Sequence, residues 1–282
     1  MLTKISNSNH VHVDCVFQYV RSNIPGPNLE QKSFEDQFSG CECQPPGSGC
    51  NSTTCSCMRR FGAAYDEKHR LVDIDPYSDA MRPVYECNGA CTCGVDCANR
   101  VVQHEVACDL AVFRTPLKGF GVRTLQAVLR GSFVCEYAGE VLTREEARRR
   151  AANLTNADCN YILALREHVT ADGKDHVITT YVDPMYIGNV GRFVNHSCSP
   201  NLFMVPVRVN NDVPHLGLFA IDDIAAGTEL CFDYSGVVQR PDAKATNDHI
   251  TVDVAPTHRK PCHCSSATCR QYLPFDETLY DN

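Results

Sequence analysis

The chain has 282 residues, of which 43% are hydrophobic and 21% charged, a balance typical of a soluble globular protein with an ordinary core. Its formal net charge of −8 argues against a protein whose main work is to grip DNA phosphates, and it suits a basic partner better. The 18 cysteines and the absence of tryptophan are unusual, and the cysteines need an explanation first.

The opening residues MLTKISNSNHVHVDC contain no apolar run followed by a small-residue cleavage site, and no later run is long enough to span a membrane. We therefore expect no membrane partner and a reducing compartment. In such a compartment dense cysteine indicates metal ligands more often than disulfides.

The distribution of cysteines and polar residues divides the chain into five predicted zones. A polar N-terminal arm covers residues 1–37, and a cysteine-rich module covers 38–102. A middle zone of short apolar segments covers 108–235. A linker at 236–257 is rich in Asp, Asn, Thr and Pro, which favours mobility, and a small cysteine knuckle follows at 258–274.

The cysteine-rich module has the spacing C-x-C-x6-C-x4-C-x-C, followed after 29 residues by C-x3-C-x-C-x3-C. Nine is an odd number, which does not suit a closed disulfide framework. Nine thiolates can fill two tetrahedral zinc sites with one left over, or three sites if three thiolates each bridge two ions. The C-x-C spacing favours sharing, and sites filled by thiolates are structural because they leave no position for a reactive water. The predicted ligands are Cys41, Cys43, Cys50, Cys55, Cys57, Cys87, Cys91, Cys93 and Cys97.

The middle zone contains short segments rich in β-branched and aromatic residues and bounded by Gly, Pro or Asp, which predict strands. These segments are GSFVCEYAGEVL, NYILALREHV, HVITTYVDP, LGLFAIDDI and TELCFDY. The sequence ADGK at 171–174 gives a hairpin turn signal between two of them. One helix is expected after Thr143, which would cap it while Glu146 reaches back to the cap backbone. We therefore predict a mostly β protein with few helices.

The C-terminal knuckle has three cysteines, Cys262, Cys264 and Cys269, one ligand short of a closed tetrahedral site. The best candidate for the fourth ligand is Cys198, in the stretch RFVNHSCSPN at 192–201, which would clamp the tail against the Asn-His motif. His263 is the runner-up, but it lies between two ligating cysteines and is poorly placed for the same ion. The remaining cysteines are expected to be free thiols: Cys15, Cys108, Cys135, Cys159 and Cys231.

Six motifs occur together in a specific order. They are the nine-cysteine pattern, KGFG at 118–121, EYAGE at 136–140, RFVNHSCSPN, FDY at 232–234 and the C-x-C-x4-C tail. On these motifs the chain from Cys41 to Tyr280 resembles the SET-domain protein lysine methyltransferases with pre-SET and post-SET zinc modules. Longer stretches such as YIGNVGRFVNHSC and LPFDETLY are similar to a subgroup in which a methyltransferase half is fused to a transposase. No transposase half follows here, so we expect an unfused relative or an isolated domain.

The resemblance implies a β-clip fold of small sheets with a knot-like threading, flanked by pre-SET and post-SET modules with three zinc ions and one zinc ion. It also implies S-adenosylmethionine as cofactor. The residues that match the family's cofactor motifs are Lys118, Gly119, Phe120, Tyr161, Arg192, Asn195 and His196. The family usually has Trp where this chain has Phe120, whose ring can stack but lacks the indole donor.

By the same resemblance Tyr234 is the catalytic tyrosine, and Tyr161 and Tyr137 line the lysine channel with it. Tyr137 could instead be an ordinary strand aromatic. Phe232 occupies a position where the family has Phe or Tyr, and Phe favours a dimethyl or trimethyl product, unless the residue is only a core aromatic. Asp183 could be taken for a general base, but we expect it to accept hydrogen bonds in a turn.

The resemblance implies a nuclear, chromatin-associated histone-lysine N-methyltransferase. Its expected partner is the histone H3 tail or the nucleosome, with a non-histone lysine protein as a further candidate, and direct DNA binding is not expected to dominate. Pre-SET members point to lysine nine of H3, whereas the subgroup admits lysine thirty-six or four. The alternative is a catalytically weak SET module that binds chromatin or a DNA-associated partner, but the presence of Tyr234, Asn195 and His196 favours the enzyme.

Overall fold

The structure is a computed structural model that describes residues 17–44, 50–72, 75–78, 83–104, 106–155, 158–236 and 259–280. Cys15 and residues 237–257 of the expected linker lie outside these ranges. Within them, 13 strands and two α-helices are present, so the prediction of a mostly β protein with few helices is confirmed. None of the helices in these ranges is long and apolar enough to cross a membrane.

The strands are β1 Gln18–Tyr19, β2 Ile24–Pro25, β3 Val84–Tyr85, β4 Leu110–Arg114, β5 Phe120–Thr124, β6 Phe133–Glu136, β7 Gly139–Leu142, β8 Leu163–Ala171, β9 Lys174–Gly188, β10 Asn195–His196, β11 Leu202–Arg208, β12 His215–Ala220 and β13 Glu229–Phe232. The α-helices are α1 Ser56–Phe61 and α2 Arg144–Ala152. Short 3₁₀ helices occupy Gln31–Phe34, Val102–His104, Val190–Phe193 and Glu277–Leu279.

The strands form two mixed sheets. The smaller sheet has the order β1-β9-β7-β2, with β8 paired to β9. The larger sheet has the order β4-β5-β13-β11-β12-β6, with β10 on β13 and β3 on β11. The pairs β1–β9, β2–β7, β3–β11, β10–β13 and β11–β13 are parallel, and the others are antiparallel. Because parallel pairing needs a long connection, these contacts bring together segments that are far apart in sequence.

The longest strand pair is the hairpin of β8 and β9. Its two-residue turn places Asp172 at φ 52° and Gly173 at φ 71°, and Ala171 pairs directly with Lys174. Two consecutive positive φ angles are what a type I′ turn requires, and Asp-Gly supplies them at low cost. The turn predicted at 171–174 is therefore confirmed.

Helix α2 begins where its capping residue predicts, but one half of the capping box is absent. The Thr143 hydroxyl accepts a hydrogen bond from the backbone N–H of Glu146 at 3.2 Å, as expected of an N-cap. The expectation that the Glu146 side chain returns to the cap backbone was wrong. Its carboxylate instead accepts from Arg149 at 2.7 Å and Arg150 at 2.9 Å, since these guanidiniums offer charged donors one turn along the helix.

The N-terminal segment is built into the smaller sheet. Strand β1 pairs in parallel with the end of β9, where Gln18 lies opposite Ile187. Strand β2 pairs in parallel with β7, where Ile24 lies opposite Glu140. Two-residue strands are too short to show an alternating apolar pattern, so they could not be predicted from the sequence.

A buried carboxylate follows β3, the strand through which the cysteine-rich module joins the larger sheet. Glu86 follows β3, and its Oε1 accepts from the Tyr65 hydroxyl at 2.7 Å and from the backbone N–H groups of Val101 and Val102 at 3.0 and 2.8 Å. Its Oε2 accepts from the Gln103 amide at 2.8 Å. Four donors therefore compensate the loss of hydration of a carboxylate that is 2% exposed.

The 3₁₀ turn at Val190–Phe193 passes tightly behind the end of β6. A Cβ atom at Gly191 would lie 2.4 Å from the carbonyl O of Glu136 and 2.9 Å from Cα of Tyr137, so a glycine is required for this approach. The Asn189 side chain accepts a hydrogen bond from the Gly191 N–H at 2.9 Å and fixes the turn. This passage delivers the chain into β10, where the candidate site begins.

Candidate active site

Strand β10 consists of Asn195 and His196 and places the Asn-His motif against the Phe-Asp-Tyr motif. It pairs in parallel with β13, with Asn195 opposite Cys231 and His196 opposite Phe232. Tyr234 follows β13 by one residue, and its backbone N–H donates to His196 Nδ1 at 3.2 Å. The two motifs, in which His196 and Tyr234 are 38 residues apart along the chain, therefore share one junction.

Tyr234 lies at this junction with 36% of its surface exposed. Its hydroxyl donates to the carbonyl O of Val194 at 3.1 Å. Its ring centroid is 4.9 Å from that of Phe232 and 5.3 Å from that of His196. Desolvation raises the pKa of Tyr234 above its ordinary value, so the phenol keeps its proton at neutral pH.

The aromatic surface continues from Tyr234 into the interior. Phe232 is 2% exposed, and its ring meets that of Tyr137 edge-on at 5.8 Å. The Tyr137 hydroxyl donates to the carbonyl O of Tyr161 at 2.6 Å, and burial raises the pKa of Tyr137. The four residues expected to line a lysine channel therefore contact one another in sequence: Tyr234 with Phe232, Phe232 with Tyr137, and Tyr137 with Tyr161.

Arg192 connects this surface to the N-terminal segment. The guanidinium Nε donates to the carbonyl O of Pro184 at 2.9 Å, and Nη2 donates to that of Met185 at 3.3 Å. The guanidinium carbon also lies 4.5 to 4.7 Å from three ring centroids, those of Phe17, Tyr161 and Phe193. Nη1 is buried and has no hydrogen-bond partner within the described ranges. Cation–π contacts of this kind favour a buried guanidinium.

The segment Lys118–Phe120 leads into β5 and lies beside Asn195. Gly119 has φ 69°, and the space that a side chain would take there is open. Asn195 Nδ2 donates to the carbonyl O of Phe120 and to Glu229 Oε1, both at 3.0 Å. Lys118 Nζ lies 2.7 Å from Glu229 Oε2. The structure therefore gathers Lys118, Gly119, Phe120 and Asn195, which were predicted as cofactor residues, around one carboxylate.

Glu229 was missed by sequence reasoning. It stands in the segment TELCFDY, five residues before Tyr234, and was recognised only as part of a strand. Its partner Lys118 is 111 residues away along the chain. Spacing rules relate charges within one helix or strand, so they carry no signal for a pair at this distance.

His196 joins the aromatic junction to the cysteines of the tail. Because a backbone N–H can only donate, the bond from Tyr234 N requires that His196 Nδ1 is an unprotonated acceptor. The ring proton of the neutral side chain therefore lies on Nε2, which is 3.3 Å from Cys198 Sγ. Burial lowers the pKa of His196 to about 4, consistent with a neutral ring at physiological pH.

The tail cysteines meet Cys198 as expected from the ligand count. The sulfurs of Cys198, Cys262, Cys264 and Cys269 all lie within 4.8 Å of one another, and this group does not include His263. Cys198 and Cys262 are 3.9 Å apart. A zinc–sulfur bond of about 2.3 Å sets a tetrahedral edge of about 3.8 Å, so the spacing fits one zinc ion.

Two ion pairs hold the tail beside the aromatic junction. Arg270 donates to the buried carboxylate of Asp233, and its backbone N–H points to Cys198 Sγ at 3.4 Å. Further along, Arg166 on β8 binds both oxygens of Asp276 at 2.8 and 2.6 Å. The tail is therefore held by ion pairs in addition to the contacts between its cysteines and Cys198.

The nine cysteines of the first module form one compact cluster. Their sulfurs form four overlapping groups of four within 4.8 Å, and Cys41 and Cys87 each belong to three of these groups. The pairs Cys41–Cys50 and Cys50–Cys87 are 3.7 Å apart, far beyond a disulfide bond of about 2.05 Å and close to the edge of a zinc tetrahedron. Overlap of the groups is the arrangement that bridging thiolates require.

Asp183 is a structural acceptor in this fold. It is 1% exposed, its Oδ1 accepts from the backbone N–H of Met185 at 3.0 Å, and its Oδ2 accepts from Arg150 at 2.8 Å. Both oxygens of this carboxylate are therefore already engaged as hydrogen-bond acceptors. The expected role as a turn acceptor agrees with these bonds.

Comparisons with known proteins agree with this geometry. The SET domain family matches residues 119–235, and the Pre-SET motif family matches residues 2–100. The chain is 44% identical over 265 residues to the mouse histone-lysine N-methyltransferase SETMAR, which covers 94% of this chain and 82% of the mouse protein.

Two solved structures extend the comparison. The crystal structure of the methyltransferase domain of human SETMAR is 43% identical, with a TM-score of 0.74 over 92% of this chain and 90% of that one. The structure of KRYPTONITE in complex with mCHH DNA, an H3(1–15) peptide and SAH is 28% identical, with a TM-score of 0.68 over 95% of this chain and 50% of that one. The resemblance drawn from the motifs is confirmed: the chain belongs to the SET-domain histone-lysine N-methyltransferases of the SETMAR type, with pre-SET and post-SET cysteine clusters.

Proposed function

We propose that this protein transfers methyl groups from S-adenosylmethionine to a lysine of the histone H3 tail in chromatin. The observation that carries the proposal is the junction of β10 and β13, which sets the Asn-His motif against Tyr234 and an aromatic surface. The KRYPTONITE structure supports the substrate and the cofactor, because it contains an H3 peptide and SAH, the compound left when S-adenosylmethionine has lost its methyl group. We accordingly place the protein in the nucleus.

The cofactor would be held by the residues around Lys118–Phe120 and Asn195, together with Tyr161, Arg192 and His196. When bound, it supplies an electrophilic methyl group on a positively charged sulfonium. The fit rests on the open space at Gly119 and on the Asn195 oxygen, which accepts from no group of the described residues and can take an N–H from a ligand. Phe120 offers a ring for stacking against a flat or apolar part of the cofactor, although it lacks an indole donor.

The aromatic residues prepare the substrate amine. A lysine ammonium has a pKa of about 10.4 and no lone pair, so it must lose its proton before it can form a bond to carbon. A channel lined by Tyr137, Tyr161 and Phe232 disfavours the charged ammonium by desolvation and restricts the side chain to one approach. The Tyr234 hydroxyl, protonated and already directed at a backbone carbonyl, marks the point where the nitrogen is positioned.

We further propose that zinc fills both cysteine clusters, with three ions shared among nine thiolates and one ion held by Cys198 and the three tail cysteines. The pre-SET domain would comprise residues 38–102, the SET domain 108–235 and the post-SET knuckle 258–274. Because Cys198 lies two residues after His196, the post-SET zinc would fix the tail at the cofactor site. The metal is structural in this proposal.

The function is tested by incubating the full chain with S-adenosylmethionine and a panel of histone tail peptides, including H3. We expect a mass increase of one or more methyl groups on a single H3 lysine, located by peptide fragmentation. A non-histone lysine protein as the substrate would show as activity on nuclear extract without activity on the peptides. Binding of H3 peptide without any added mass would instead support the alternative, a catalytically weak chromatin-binding module.

Tyr234→Phe should lower kcat by about 100-fold, because it removes the hydroxyl that positions the amine, while SAH still binds. Tyr186→Phe, at a tyrosine that is 60% exposed, is the matched control. Wild-type turnover by Tyr234→Phe would refute the assigned role.

In the wild-type protein the rate of methyl transfer should rise from pH 7 to about pH 9, since the fraction of neutral lysine increases. The raised pKa of Tyr234 keeps its phenol protonated over this range, so the rise reports on the substrate.

Phe232→Tyr should shift the product from dimethyl-lysine toward monomethyl-lysine. The added hydroxyl can hold a water beside the substrate nitrogen, and expelling that water opposes the rotation of a methylated amine. The rings of Tyr137 and Tyr234 flank Phe232, so the change falls inside the channel. Mass spectra of a time course on unmodified peptide measure the ratio, with the peptide KM as a check on binding. Identical product distributions would show that product state is set elsewhere.

The native protein should contain about four zinc ions per chain by mass spectrometry under non-denaturing conditions. Cys269→Ser should remove only about one ion, because Cys269 is not a ligand of the pre-SET cluster. It should also loosen the tail and abolish most methyl transfer, because the tail is then no longer held at the cofactor site. Cys159→Ser, at an exposed thiol outside the clusters, should keep the full zinc content. A wild-type content of two ions or fewer would overturn the ligand assignment.

A further inference from the structure

We propose that Glu229 is a positioning residue for the cofactor: its carboxylate fixes the Asn195 side-chain amide so that Oδ1 is left as the acceptor for an N–H of the ligand. This inference rests on the proposed function, because the ligand it serves is S-adenosylmethionine. Glu229 would act through Asn195 and would not contact the transferred methyl group.

The first step is the orientation of the Asn195 amide. Nδ2 lies 3.0 Å from two acceptors, the carbonyl O of Phe120 and Oε1 of Glu229. The reversed amide would place Oδ1 against both of these oxygens, with no proton between them. Two acceptors on one NH₂ group therefore select a single orientation.

The second step concerns the oxygen that remains. In the part of the chain that the structure describes, Asn195 Oδ1 has no protein partner. An amide oxygen accepts from ammonium and amino groups, and S-adenosylmethionine carries both on its methionine and adenine parts. Asn195 Oδ1 is thus oriented to accept a hydrogen bond from a donor other than the described protein groups.

The third step is that Glu229 is itself held in place. Its backbone carbonyl accepts from the Asn201 amide at 2.8 Å, and its second carboxylate oxygen lies 2.7 Å from Lys118 Nζ. A Cβ at Gly121 would lie 2.9 Å from Glu229 Oε1 and 3.0 Å from Asn195 Nδ2, so glycine at this position leaves room for their contact. The carboxylate is shared between a cation and an amide of the predicted cofactor site.

The test substitutes Glu229→Gln, which keeps the shape of the side chain but replaces one acceptor by a donor. Either Lys118 or Asn195 then faces the N–H of the new glutamine. The Asn195 amide can turn so that its oxygen accepts from this donor. We expect the Kd for SAH, measured by calorimetry, and the KM for S-adenosylmethionine to rise about tenfold to 100-fold. The peptide KM, kcat, zinc content and Tm should stay near the wild-type values. Glu67→Gln, at an exposed loop carboxylate, is the matched control.

A double-mutant cycle separates positioning from general support. In an Asn195→Ala background the amide is gone, so adding Glu229→Gln should change the SAH affinity by less than about threefold. Additive losses would show that Glu229 does not act through Asn195, and a lowered Tm with equal loss of peptide and cofactor binding would show a structural role. Unchanged SAH affinity in Glu229→Gln would also overturn the inference. If the wild-type protein fails to bind SAH, the proposed function fails instead.

Discussion

The parallel contact between β10 and β13 is the interaction on which the active-site arrangement depends. Strand β10 has only two residues, too few to hold a register alone. Neighbouring bonds secure it: Ser197 N donates to the Phe232 carbonyl at 3.1 Å, and the Asn201 side chain accepts from Cys231 N at 2.9 Å. A slip of one residue would exchange the two faces of the strand and separate His196 from Tyr234.

In the cysteine-rich module that precedes this core, the buried side chains of the cluster are mostly cysteines and not aliphatic or aromatic residues. Among its buried residues the cysteine cluster includes one other apolar side chain, Met58, and the regular elements found between residues 50 and 97 where the structure describes them are α1 and the two-residue strand β3. So little secondary structure cannot bury enough apolar surface to fix a fold, whereas metal–thiolate bonds can. Glu86 then links this module to the larger sheet, because its backbone N–H donates to the carbonyl O of Arg208 in β11 at 2.9 Å while its carboxylate accepts from Tyr65, Val101, Val102 and Gln103.

Local chemistry in the sequence predicted a good part of this structure. The Asp172-Gly173 turn, the Thr143 cap and the strand segments around β6 to β9, β12 and β13 depend on residues close together in the chain, and they appear as expected. The motifs also contain the aromatic and Asn-His residues that the fold brings into contact. The failures share a cause. The Glu146 carboxylate accepts hydrogen bonds from Arg149 and Arg150 and not from the backbone N–H of its capping residue. Glu229 pairs with Lys118, which is 111 residues away along the chain. In both cases the partner of the carboxylate depends on which donors lie near it in the folded chain, and the spacing of residues along the sequence does not show this.

The place of the N-terminal segment in the smaller sheet has a consequence for how the chain reaches this fold. Strand β1 needs Ile187 and Gly188, which are synthesised roughly 170 residues later, and β2 needs Glu140 and Val141. On a ribosome the residues of β1 and β2 must therefore wait for these partners, while the cysteine module that lies between them in sequence is already complete. Phe17 then packs against Arg192, so this early segment joins the fold only after residues 187–192 have been made.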